Sequence, residues 1–181
     1  MGITQQIGAS SIIKPGVCTS TTRPAAPYDG QMIYETDTKI SLVYNGSAWV
    51  CLTPQSTTIN GVGSRSSTAY GDTNSGAGPS VSIQTGSKAL VNVCGTPQSS
   101  YNNYMYISFG VTGATTITAI DDYGSWSREL SAGGGMSSSV SRTLIITGLT
   151  AGVNTFTAKY RGSTANPIDY YNRSITVVGI P

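Results

Sequence analysis

The sequence predicts an all-β protein: an extended N-terminal arm, a small β-meander, and then a jelly-roll-like β-sandwich. Three observations lead there. Charged residues are 10% of the 181, against roughly 25% in ordinary soluble domains, and Ser, Thr, Gly and Asn stand where helix formers would. Gly (22) and Pro (8) interrupt the chain at short intervals. Between them lie short runs in which apolar and polar side chains alternate, the period-2 pattern of half-buried strands.

Residues 1–27 are expected to form an extended anchoring arm. Ile3, Ile7, Ile12 and Ile13 are scattered among small polar residues, and Pro15, Pro24 and Pro27 prevent a long helix. Four dispersed isoleucines cannot build a core alone, so they are expected to dock on another surface as an assembly anchor.

Residues 28–53 are expected to form a β-hairpin or meander. Gln31–Thr36, Ser41–Tyr44 and Ala48–Leu52 are strand candidates, and Asn45-Gly46 is a strong signal for a type I′ turn. Ile33, Tyr34, Val43 and Trp49 are its expected packing residues, with Leu52 beside them. Residues 54–79, almost empty of large apolar side chains, suggest a Ser/Thr/Gly-rich linker or an ordered loop.

Residues 80–181 are expected to form the sandwich. Strands are predicted near Val81–Thr85, Ala89–Cys94, Tyr104–Phe109, Thr115–Asp121, Ser127–Leu130, Val140–Thr147, Asn154–Tyr160 and Ser174–Val178. In the third, Met105, Ile107 and Phe109 share one face while Tyr104 and Tyr106 share the other. The first set is core. The tyrosines suit a second, wetter contact, because each joins a large apolar ring to a hydroxyl, and they are the expected subunit interface.

Function classes narrow quickly. The chain has no His, so Ser-His-Asp and Cys-His arrangements cannot be assembled within it. Glu35 and Asp37, two residues apart, form the best carboxylate pair, but a small hairpin lacks the walls of a sugar cleft, and a solvated strand end is the expected reading. Asp121-Asp122 read as turn residues. Gly133-Gly134-Gly135 lacks the Lys and the strand-to-helix setting of a phosphate loop and reads as a flexible tip. Cys18, Cys51 and Cys94 show no metal-ligand spacing, so no metal, no cofactor and no catalytic residue is expected.

Ten basic and eight acidic residues give a net charge of +2 without clustering, which argues against nucleic-acid binding. No apolar stretch approaches the roughly 20 residues of a membrane span, and the start lacks the pattern of a secretory signal. Lys159, Arg161 and Arg173 could form a basic rim for an acidic host glycan, although ordinary solubility charges serve as well.

The stretch Thr22-Arg23-Pro24-Ala25-Ala26-Pro27-Tyr28-Asp29-Gly30-Gln31-Met32-Ile33-Tyr34-Glu35-Thr36-Asp37-Thr38, continued by Val43-Tyr44-Asn45-Gly46-Ser47-Ala48-Trp49, resembles a short module of tailed-bacteriophage virion proteins. The pattern Leu149–Arg161 followed by Asn172–Val177 is similar to β-sandwich tip domains of the same group. Together they cover roughly half the chain. The resemblance implies a non-enzymatic virion structural protein, commonly a homotrimer, placed as head decoration, head fibre, tail fibre or tail tip and contacting other capsid or tail proteins. The alternative is a host-surface carbohydrate-binding adhesin module, for which an isoleucine-bearing arm has no use.

Overall fold

The computed structural model describes residues 15–130 and 137–181. The isoleucines of the expected anchor and the triple glycine at 133–135 lie outside them. Among the described residues the only helical element is a 3-10 turn at Asp121–Tyr123, and the rest is strand and loop. The protein is all-β.

Four short strands make the first sheet: β1 (Gly16–Cys18), β2 (Met32–Glu35), β3 (Ser41–Tyr44) and β4 (Trp49–Cys51), in that spatial order, with β1 parallel to β2 and the other pairs antiparallel. Part of the expected arm is therefore a strand of the meander sheet. The β3–β4 connection also departs from the type I′ expectation. Asn45 is not in the left-handed region; only Gly46 is, at φ 88°. Four residues, Asn45–Ala48, close the loop, and the Asn45 side-chain oxygen accepts the backbone N–H of Ala48 (2.9 Å) and of Ser47 (3.2 Å). An Asx-type cap replaces the glycine-driven turn.

The body is a two-layer sandwich. One sheet has the order β10 (Ser125–Glu129), β9 (Asn103–Gly113), β12 (Gly152–Gly162), β7 (Ser80–Thr85); the other has β11 (Val140–Thr147), β8 (Lys88–Gln98), β13 (Ile168–Ile180), β5 (Gln55–Ile59). β6 (Gly63–Arg65) also pairs with β13. The stretch expected as linker or ordered loop thus supplies two strands to the body, whose edge begins at Gln55 rather than Ser80. Half-buried and exposed residues alternate along Gln55–Ile59 because only one face of an edge strand is covered.

Alternation explains the core. Val81, Ile83, Met105, Ile107, Phe109, Val111, Phe156, Ala158 and Tyr160 point inward from one sheet, and Val91, Val93, Ile175 and Val177 meet them from the other. The predicted strand at Thr115–Asp121 is absent. That segment folds back over β9 with one bridge, Ile117 to Val111, before the Ser108 hydroxyl donates to the Ile120 carbonyl at 2.6 Å.

The meander shares this core. Ile33, Leu42, Trp49 and Cys51 belong to the same buried cluster as the sandwich residues. Val43 does not: β3 alternation turns Leu42 into the cluster and puts Val43, half-buried, on the other face opposite Met32 and Val50, with Tyr34 likewise half-buried. Val50 is wholly buried on the sandwich, and a side chain at Gly179 would come within 2.7 Å of it.

Candidate functional site

β9 and β10 form a hairpin whose register places Trp126 opposite Tyr106 and Arg128 opposite Tyr104. Since Met105 and Ile107 point into the core, all four side chains share the outer face. Trp126 is 55% exposed, a large apolar ring left in water. Its ring meets Tyr104 edge-on at 5.3 Å, Tyr104 lies 6.3 Å from Tyr106, and the Arg128 guanidinium sits 4.7 Å from the Tyr104 centroid. β12 continues the row. Its Arg161, opposite Tyr106, stacks over that ring at 3.7 Å and lies 5.3 Å from the Tyr70 ring. The result is an aromatic face carrying cations.

One end of this face is neutralised. Asp121, presented by the 3-10 turn, receives both Arg161 Nε (2.9 Å) and Arg161 Nη2, and also the Tyr70 hydroxyl at 2.9 Å. The Arg161 hydrogen bonds, helped by Tyr70, hold the Asp121 carboxyl below the usual range, while burial and then Asp121 push the Tyr70 phenol up. At the other end no carboxylate lies within salt-bridge distance of Arg128 among the described residues. The charge available to a partner is therefore on the Trp126–Arg128 side.

The expected basic rim is not assembled. Lys159 bonds Asp72 at 2.6 Å and Arg161 is held by Asp121. Arg173 is only 1% exposed. The cause is local: Tyr171 pairs with Thr96 and Ser174 with Cys94, so Asn172 and Arg173 together oppose Gly95 in a bulge, with Asn172 at φ 47°. The extra residue inverts the alternation and sends Arg173 into the interior.

Glu35 and Asp37 make no acid–base pair. Glu35 is fully buried, contrary to the expected solvated strand end, and is bonded by Arg23 Nε and by the Thr38 hydroxyl (2.6 Å). Asp37 is exposed and accepts the Ser20 backbone N–H at 3.0 Å and its hydroxyl at 2.6 Å, which hold its carboxyl below the usual range. The two carboxylates fasten Ser20 and Arg23 to the end of β2 and the turn that follows it. Cys18, Cys51 and Cys94 are free thiols.

Tyr104 and Tyr106 were legible as an outward pair. Trp126, Arg128 and Tyr70 are not among the residues the sequence marks, and Asp121 is expected only as a turn residue, although the alternation in Ser125-Trp126-Ser127-Arg128 already puts Trp126 and Arg128 on one face.

No protein-family model matches the chain, and no curated protein does. Among solved structures it is similar to a chain of infectious bursal disease virus, Gx strain, at 12% identity and a TM-score of 0.42. The superposition covers 86% of this chain and 36% of that one, so the protein spans about a third of its length. At that level the likeness carries no argument about function.

Proposed function

We propose that this protein is a non-enzymatic structural component of a tailed-phage virion, anchored by its N-terminal arm and presenting a trimeric β-sandwich outward. The outer aromatic face of β9 and β10 carries this reading. Tyr104, Tyr106 and Trp126 form a contiguous apolar surface on a body whose core is already complete, and a surface of that kind is a contact surface. The sequence stretches that resemble phage virion modules support the setting. In the first of them, Arg23, Glu35 and Thr38 are spent on holding the meander together, as suits a structural module.

Sedimentation equilibrium at micromolar concentration should give three times the 18.7 kDa protomer mass, and Trp126→Arg with Tyr104→Ser should reduce it to the protomer. A monomeric wild type would overturn the trimer. Deleting residues 1–13 should leave a folded body that no longer enters particles, and normal incorporation would place the anchor elsewhere.

A second reading, a host-surface carbohydrate-binding module, is favoured by Trp126 beside the unpaired Arg128, since a flat ring next to a cation suits an acidic sugar. The two readings separate on one measurement. Trp126 fluorescence that is quenched by acidic oligosaccharide in a protein sedimenting as a monomer supports the module.

A further inference from the structure

Trp126 leaves a large ring in water, and the same outer face holds a place for such a ring. Further along β9 from Tyr106, Gly110 lies opposite Thr157 of β12 and puts no side chain on that face. Chain segments flank it on both sides, where Ile117 bridges to Val111 and Gly71 to Tyr160. Between them runs a trough of about 330 Å³, floored by Gly110 and Thr157 and walled by Ile117–Ala119 and Tyr70. A side chain at Gly110 would come 3.2 Å from the Ile117 carbonyl oxygen, so the bare floor lets that wall close in. Pockets of about 300–1,000 Å³ hold whole small molecules, which gives this one room for an indole.

Tyr70 and Ala119 also line a second cavity, of about 420 Å³, which Asp122 shares with the 42%-exposed Ile120. No cation lies within salt-bridge distance of the Asp122 carboxylate among the described residues, and Arg142 reaches only the Asp122 backbone carbonyl, at 3.4 Å. The two parts of the face complement each other in shape and charge. One carries an exposed indole beside an unpaired cation, Trp126 and Arg128. The other carries an open trough beside an unpaired anion. Their order along the sheet is also the same. Arg128 stands opposite Tyr104 and Trp126 opposite Tyr106, while the Asp122 cavity reaches Arg161, opposite Tyr106, and the trough lies beyond it at Gly110. Within one chain Trp126 packs on Tyr104, not in the trough.

We propose that Trp126 of one copy of this chain seats in the Gly110 trough of a second copy, where Arg128 of the first pairs with Asp122 of the second. The inference rests on the reading that copies assemble through this face, and it names the contact. Knob and socket are different residues, the heterologous kind of contact that a ring of three requires. Burial of the ring supplies the attraction, and the ion pair fixes the placement.

The test is sedimentation equilibrium of the full chain at micromolar concentration. Thr118→Arg, which blocks the trough, and Arg128→Asp or Asp122→Arg, which set like charges together, should each weaken association by about tenfold or more. Arg128→Asp with Asp122→Arg restores opposite charges and should return association to within about threefold of wild type. Thr118, Asp122 and Arg128 are exposed, so unchanged melting temperatures separate lost association from lost folding. If Thr118→Arg and Asp122→Arg associate as wild type does while Trp126→Arg dissociates, this contact is wrong and the assembly stands. A double variant no better than the single ones would also overturn the contact. A monomeric wild type would overturn contact and assembly alike.

Discussion

At the scale of single residues, the pair that closes the meander carries the sharpest consequence. Glu35 has no exposed surface and relies on Arg23 for countercharge, while the Arg23 side chain is 23% exposed. Removing the arginine strands a buried carboxylate, whereas removing the glutamate leaves a cation that can turn to water. Arg23→Ala should therefore cost about 2–3 kcal/mol, less than breaking a wholly buried pair. Urea unfolding followed by Trp49 fluorescence in a Trp126→Phe background measures it, and Glu35→Gln should cost less. Alkali probes other residues. Burial pushes the Tyr160 and Tyr170 phenols up. A phenol whose folded value is raised contributes stability that is complete below its unfolded value, near 10, and is lost progressively as pH rises above it. Absorbance near 295 nm should show tyrosines ionising in two steps, the second coinciding with alkaline unfolding.

At the scale of elements, β13 is the organising strand, bonded to β8 on one side and to β5 and β6 on the other. Its bulge decides which way Arg173 points, and Asn172 makes the bulge by accepting a positive φ. Asn tolerates that conformation and a β-branched residue does not. Asn172 is exposed, so packing hardly enters. Asn172→Val should destabilise by about 1–3 kcal/mol, and Asn172→Gly should stay within about 0.5 kcal/mol of wild type, as judged by thermal melting. Equal effects of the two would show that φ is not what matters there.

At the scale of the whole molecule, the meander and the sandwich are one folding unit. The four short strands of the meander sheet enclose no core of their own; the buried Trp49 and Leu42 join the sandwich core instead, and Val50 is buried beside Gly86 and Gly179. Val50→Ala should cost about 1–2 kcal/mol and shift a single transition. Near-ultraviolet circular dichroism and Trp49 fluorescence should report the same midpoint. Separate midpoints would show that the meander unfolds alone.

The all-β class, seven of the eight predicted body strands and the inward set Met105, Ile107 and Phe109 followed from the sequence by itself, because alternation with period 2 is a local property of the chain. The outward tyrosines followed for the same reason. What the alternation could not convey was register. The bulge that buries Arg173, the edge pairing that makes strands of residues 55–59 and 63–65, the inward turn of Leu42 in place of Val43, and the meeting of Trp126 with Tyr104 all depend on which residue lies opposite which. Opposition across a sheet is a long-range relation, selected by the packing of the two layers. Only the tertiary structure decided it.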